Sequence, residues 1–407
     1  MLKSIQDALV KYGKDLYIMY NSENSDKFFV KYISSHLSTS SICIIAKNKV
    51  YVLVHELDSK NVSKLKYNSR KIEIYVYNNS RSLDAYIEDI IANLKFPKNI
   101  CFNYSTMSDS NVDILTYGQY NYLTKLVKRP YKKYNKKVKI TSAEKVIYEV
   151  ASQKTNLQIK RLKYLASLTD EILKKTFSKI RINDTEIDIK NKTLKITDEI
   201  MQKEKLCNKD IISFDVAWEN APIVLTGINL KKGGHSLASS KKLGLNETIY
   251  FDFGLKVTFS DNETLYTDIQ RMRYSKKEKD EVPSQVMDVF NTLKNSIEEG
   301  MEKMKPGIKA YKIDNIVRGK ILGKKYPDYN HATGHPVGLN VHDIGAIISI
   351  RNSKRSNLDL VENGIYTLEP RIAIENGGSI EEMIQVTKYG GVSLCNVQDK
   401  LYIVNQK

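Results

Sequence analysis

The strongest constraint on this chain is a charged residue placed where a strand should be apolar. In IYFDFG (249–254), β-forming residues flank Asp252 on both sides. Burying a carboxylate there is costly unless it is ion-paired or holds a metal. Sixteen residues later, LYTDIQRM (265–272) repeats the pattern with Asp268. Taken singly, each aspartate reads as a turn, an edge or a salt-bridge residue. The repetition points to one shared site.

Three later segments extend the pattern. HATGHPVGLNVHDIG (331–345) holds three of the six histidines of the chain, His331, His335 and His342. Gly334 and Pro336 argue against a helix through them, so a loop is expected that enters a strand at Val337–His342. His335 reads as a metal ligand, and His331 and His342 as groups that reach a substrate. Glu369 in YTLEPRI follows an apolar strand and precedes a proline, and Glu381 in GGSIEEMIQVT follows a GG turn. Neighbouring strands with these ends would deliver two carboxylates to one point.

Asp252, Asp268, His335, Glu369 and Glu381 together make four carboxylates and one histidine, a set suited to two divalent ions about 3.5–4 Å apart. Oxygen-rich ligation favours manganese first, with cobalt, iron or zinc as alternatives, and speaks against copper or a thiolate-rich structural zinc site. Asp261, in the SDNET segment between the two aspartates, competes with Asp268 for the second position.

A chain of 407 residues, 41% hydrophobic and 27% charged, is long enough for two cores. Residues 1–126 read as a small α/β domain. Strand-length runs lie at Leu16–Tyr20, Ser41–Ala46, Val50–Val54 and Ile72–Tyr77, and a helical repeat spans Ser82–Leu94. The lysine-rich stretch 127–140, interrupted by Pro130, is expected to be a linker. Residues 141–407 read as an α+β catalytic domain, opened by a helix from about residue 142, where Thr141 and Glu144 have capping-box spacing. A second helix is expected over Pro283–Lys303, with Met301 and Met304 on its packed face. Segments 211–227 and 247–272 read as antiparallel strands. The chain contains no GxGxxG and no GKS or GKT phosphate loop.

Cys43, Cys101, Cys207 and Cys395 are far apart with no CxxC, so reduced thiols are expected. No signal-peptide pattern and no membrane-length apolar run is present, and a cytoplasmic protein without a membrane partner is expected. The excess of 64 basic over 47 acidic residues, +17, permits attraction to nucleic acid without specifying it, and nucleic acid is not the expected partner.

On these motifs the stretch from about Ala217 to Thr387 resembles the "pita-bread" metallopeptidase family, which contains methionine aminopeptidase, Xaa-Pro aminopeptidase and Xaa-Pro dipeptidase (prolidase). The resemblance implies a pita-bread catalytic domain preceded by a creatinase-type amino-terminal domain. It also implies a dinuclear centre on Asp252, Asp268, His335, Glu369 and Glu381. NAPIVLTGINLKKGGHS resembles the family segment whose histidine lines the substrate pocket, which carries over to His235. By the same resemblance His342 contacts the substrate carbonyl region, His331 is the remaining active-site histidine, and Glu369 manages the proton of the attacking water. The amino-terminal domain favours the proline-specific branch, as dipeptidase or aminopeptidase acting on small proline-containing peptides, and implies a homodimer. Two departures stand out: Ser379 occupies the position, two residues before Glu381, where the family commonly has arginine, and Arg371 and Ala373 replace a glycine and a tyrosine after the Glu369–Pro370 pair. The alternative from another class is a noncatalytic binding protein on the same fold that uses its basic surface.

Overall fold

The computed structural model describes residues 2–64, 72–106, 109–232, 236–351 and 353–406. The chain forms two compact units, Met1–Ala151 and Ser152–Lys407.

The first unit is built on a six-stranded mixed sheet. In chain order its elements are α1 (Leu2–Lys11), β1 (Leu16–Asn21), α2 (Lys27–Tyr32), β2 (Ser41–Ala46), β3 (Val50–His55), β4 (Ile72–Tyr77), α3 (Leu83–Asn93), β5 (Asn99–Phe102), α4 (Tyr117–Lys133), β6 (Lys139–Ser142) and α5 (Glu144–Ser152). The strand order is β4-β3-β2-β1-β5-β6. The four expected strands and the helix after Ser82 form where the periodicity places them, with Ser82 accepting the Ala85 N–H as the α3 cap.

Two expectations at the end of this unit are corrected. Residues 127–140 are not a free linker: α4 runs through Pro130 to Lys133, and β6 pairs in parallel with β5. A capping box between Thr116 and Gln119 starts α4, and its buried stripe of Leu123, Leu126, Val127, Pro130 and Tyr131 packs at helical spacing. Packing thus outweighs the lost Pro130 N–H. The capping box expected of Thr141 and Glu144 does not form either. Thr141 belongs to β6, the Glu144 N–H is capped by Ser142 Oγ, and the Glu144 carboxylate accepts from Ser105 and Thr106.

The second unit begins with two long helices, α6 (Asn156–Lys179) and α7 (Glu186–Cys207). Strands β7 (Ile211–Val216), β8 (Ile223–Thr226), β9 (Thr248–Phe253), β10 (Leu255–Phe259), β11 (Thr264–Tyr266) and β12 (Ile269–Lys277) follow. Then come α8 (Ser284–Lys303), α9 (Ala310–Gly323), β13 (Ile365–Leu368), β14 (Arg371–Ile372), β15 (Gly378–Ser379), β16 (Glu382–Thr387), β17 (Gly390–Ser393) and β18 (Tyr402–Gln406). The sheets are β11-β10-β7, β18-β12-β9-β8, β13-β16-β17 and β14-β15. Pairing among β7–β12 is antiparallel, as the alternating runs require. Helix α8 buries Val286, Val289, Phe290, Leu293 and Ile297, and Met304 just beyond it is fully buried in the same core. The four cysteines are free thiols. Among the described residues no helix is long and apolar enough to cross a membrane.

Candidate active site

The site grows from strand ends. Asp252 lies in β9 directly opposite Gln270 of β12, and Asp268 immediately precedes β12. Glu369 follows β13 and Glu381 precedes β16, whose first residue Glu382 pairs with Leu368. At these ends backbone pairing passes from one partner to another, so the side chains turn toward a common space while the backbone remains hydrogen-bonded. The Glu381 N–H donates to Gln270 O at 3.1 Å, and the Glu369 N–H to Thr333 O at 2.8 Å.

The histidine segment differs from expectation: Val337–His342 is a loop and not a strand. The strand-like part lies just before it, where residues 333–337 run along β13. The Thr367 N–H donates to His335 O at 2.8 Å and the Val337 N–H to Ile365 O at 3.1 Å. At Gly338 the backbone adopts φ 138°, which favours glycine and turns the chain away. Asp343 then holds the loop by accepting the Leu339 and Ile344 N–H groups. Its charge is balanced by Lys154 at 3.2 Å, both side chains being almost wholly buried.

Asp268, His335 and Glu381 each place one donor atom within 4.8 Å of the others, close enough to share one ion. His335 Nε2 lies 3.6 Å from Asp268 Oδ2 and 3.5 Å from Glu369 Oε1. Asp252, Asp268, His335 and Glu369 face a cavity of about 790 Å³, with His331, His342, Tyr250, Gln270, Trp218 and Arg371 also in its wall. The His342 ring is 4.4 Å from that of His335, and His331 packs on Tyr329. Asp261 lies elsewhere, paired with Arg161 at 2.9 Å. His235 lies outside the described residues.

The electrostatics are those of carboxyl groups crowded together in a buried space, where the charged forms are disfavoured. Burial pushes the Asp252 carboxyl up to about 7, and burial with the Asp252 charge pushes Glu369 up to about 8. Asp268 and Glu381 are also raised, first by burial and then by neighbouring carboxylates. Burial, followed by His342, lowers His335 to about 3, so its imidazole is neutral and free to ligate. Asp252 Oδ1 and both carboxylate oxygens of Glu381 are buried without a hydrogen-bond partner. Buried polar atoms are normally satisfied, so these oxygens fit cation ligation.

Tyr250 and Gln270 also belong to the cavity wall, though neither stands out in the sequence. Tyr250 donates to Asp252 Oδ2 at 3.1 Å, and Gln270 Nε2 to Glu369 Oε2 at 3.1 Å. Each lies two residues from an aspartate, and the period of a strand puts such neighbours on one face.

Residues 160–388, more than half of the chain, match the model of metallopeptidase family M24. The chain belongs to metallopeptidase family M24. An Xaa-Pro dipeptidase of Pyrococcus horikoshii is 27% identical over 170 residues, covering 41% of this chain and 44% of that protein. The aligned stretch therefore spans less than half the length of this relative. The fold is similar to that of an Xaa-Pro dipeptidase from Bacillus anthracis, with 20% identity, 99% of each chain covered and a TM-score of 0.62. It is likewise similar to an X-Pro aminopeptidase from Thermotoga maritima, with 21% identity, 98% of this chain and 100% of that chain covered and a TM-score of 0.61. The M24 unit thus has the pita-bread α+β fold expected from the motifs.

Proposed function

We propose that this M24 metallopeptidase hydrolyses peptide bonds preceding proline, as an Xaa-Pro dipeptidase or aminopeptidase. Its centre would be two divalent ions held by Asp252, Asp268, His335, Glu369 and Glu381. The observation that carries this reading is the trio of buried carboxylate oxygens, Asp252 Oδ1 and Glu381 Oε1 and Oε2, without hydrogen-bond partners inside a four-carboxylate cluster. When bound, the ions supply Lewis-acid polarisation and an activated water at neutral pH.

The protein groups supply the rest. Glu369, oriented by Gln270, takes a proton from the attacking water and returns it to the departing proline nitrogen. His342, exposed at the cavity wall, donates to the carbonyl oxygen as negative charge develops there. His331 positions the substrate from the same wall, and His235 is proposed for the same task. An imide nitrogen before proline carries no N–H, so the apolar wall of Trp218, Ile223, Val341 and Ile347 would read the ring by shape. Manganese as the first-choice metal, a homodimer and a cytoplasmic location belong to the same proposal.

The test is the metal content and hydrolysis of His335→Ala and Glu381→Ala proteins. Both are expected to lose bound metal and cleavage of Xaa-Pro substrates. Either variant retaining both properties overturns the reading. Wild-type protein assayed on an Xaa-Pro dipeptide beside an Xaa-Pro-Xaa tripeptide then separates the branches, since cleavage confined to the dipeptide selects the dipeptidase.

A further inference from the structure

Arg371 is a buried cation in the wall of an anionic site. It is 4% exposed, whereas Lys232, the other basic side chain of the cavity wall apart from the histidines, is exposed. One end of its guanidinium is fixed by donation from Nη2 to Leu230 O at 2.7 Å, while its buried Nε has no hydrogen-bond partner. The guanidinium carbon lies 5.3 Å from the centre of the Tyr250 ring. Such a cation over an aromatic face restrains both groups. Tyr250, itself 1% exposed, directs its hydroxyl at Asp252 Oδ2. A continuous path therefore runs from Leu230 through Arg371 and Tyr250 to Asp252.

The position of Arg371 in the sheet adds a second fact. In the antiparallel β14–β15 pair, Arg371 stands directly opposite Ser379, which is also buried and in the cavity wall. Directly opposed residues have Cβ atoms about 4.5–5.5 Å apart, so a guanidinium carried on either position can serve the same space. Ser379 donates its hydroxyl to Pro370 O and provides no charge.

We propose that Arg371 is a positioning residue of the metal centre: through Tyr250 it fixes the Asp252 carboxylate, and it supplies from β14 the buried positive charge that Ser379 does not supply from β15. The inference rests on the two-ion reading above. A residue acting on a ligand in this way governs ion affinity and coordination geometry more than substrate binding.

The experiment uses metal-stripped full-length protein titrated with Mn²⁺ by calorimetry and with Co²⁺ by visible absorption. The proteins compared are wild type, Arg371→Ala, Arg371→Met, Tyr250→Phe and the relocation pair Arg371→Gly/Ser379→Arg. Arg371→Ala is expected to weaken one of two ions by roughly 10- to 100-fold and to change the Co²⁺ spectrum. Added guanidinium ion is expected to restore part of that affinity, and the relocation pair to recover most of it. If Arg371→Ala does not fold, Arg371→Met keeps the stem without the charge, and Tyr250→Phe breaks the path at its second step. Both are expected to weaken the same ion. Wild-type affinity and spectrum in the Arg371 variants overturn the inference. So does a loss that neither guanidinium nor the relocation pair reverses, because that marks packing and not charge. Fewer than two ions on the wild-type protein overturns the two-ion reading itself, and this inference falls with it.

Discussion

Gln270 and Glu369, ninety-nine residues apart, are joined by a hydrogen bond of 3.1 Å from Nε2 to Oε2, and Gln270 stands opposite Asp252 in the β9–β12 ladder. One amide side chain thus borders two of the clustered carboxylates. Gln270→Ala is expected to lower kcat about 10-fold with little change in KM, because it frees the orientation of Glu369. Steady-state kinetics on an Xaa-Pro substrate check this, and a rise in KM at unchanged kcat would contradict it.

Arg271 carries no exposed side-chain surface and is paired with Glu382 at 3.1 Å and Asp170 at 3.4 Å. Its Nη1 also donates to Glu381 O at 2.8 Å, linking the pair to the cluster. Glu382→Ala leaves a buried guanidinium undercompensated and is expected to cost roughly 3–5 kcal/mol. Urea unfolding measures this, with an apolar replacement of both partners, Arg271→Met/Glu382→Leu, expected to cost less than the single change.

Gly254 and Gly334 are places where the backbone of one strand closes on another. A Cβ on Gly254 would lie 1.9 Å from Thr267 O, next to Asp268, and one on Gly334 would lie 2.0 Å from Thr367 O, next to His335 in space. Neither backbone can yield without moving a clustered side chain. Gly254→Ala and Gly334→Ala are each expected to destabilise by at least about 1–3 kcal/mol and to abolish hydrolysis, read by thermal unfolding and assay.

The cluster also makes a prediction about pH. Asp252 and Glu369 titrate at about 7 and about 8 when folded, against about 4 in an unfolded chain. Between these values the folded chain binds more protons than the unfolded one, so the stability of metal-stripped protein falls as pH rises. Calorimetry is expected to show a lower Tm at about pH 8 than at about pH 5 in chelator, with Mn²⁺ restoring more at the higher pH because cation and proton compete for the same oxygens. A metal-free Tm that rises over that interval would contradict it.

Strands β1–β4, helices α3 and α8 and the five clustered residues are legible in the sequence, because strand and helix periods and a carboxylate among β-formers are local signals. The opposite holds for residues 127–133, where Pro130 and a lysine run read as a linker until Leu123, Leu126, Val127 and Tyr131 are given a core to bury against. The loop after Val337 is a similar case, since Asp343 holds its turn only with Lys154 as counter-ion, nearly two hundred residues away.

What the sequence determined by itself is which residue types stand out: acidic side chains in apolar strands, costly to bury without a counter-charge, and three histidines in one short segment. What only the tertiary structure decided is their arrangement: Arg371 opposite Ser379, Tyr250 turned on Asp252, Gln270 on Glu369, and Asp261 drawn off to Arg161. Such choices depend on register between strands distant in the chain. Register is fixed by the summed packing of whole faces, to which no single residue's chemistry gives access.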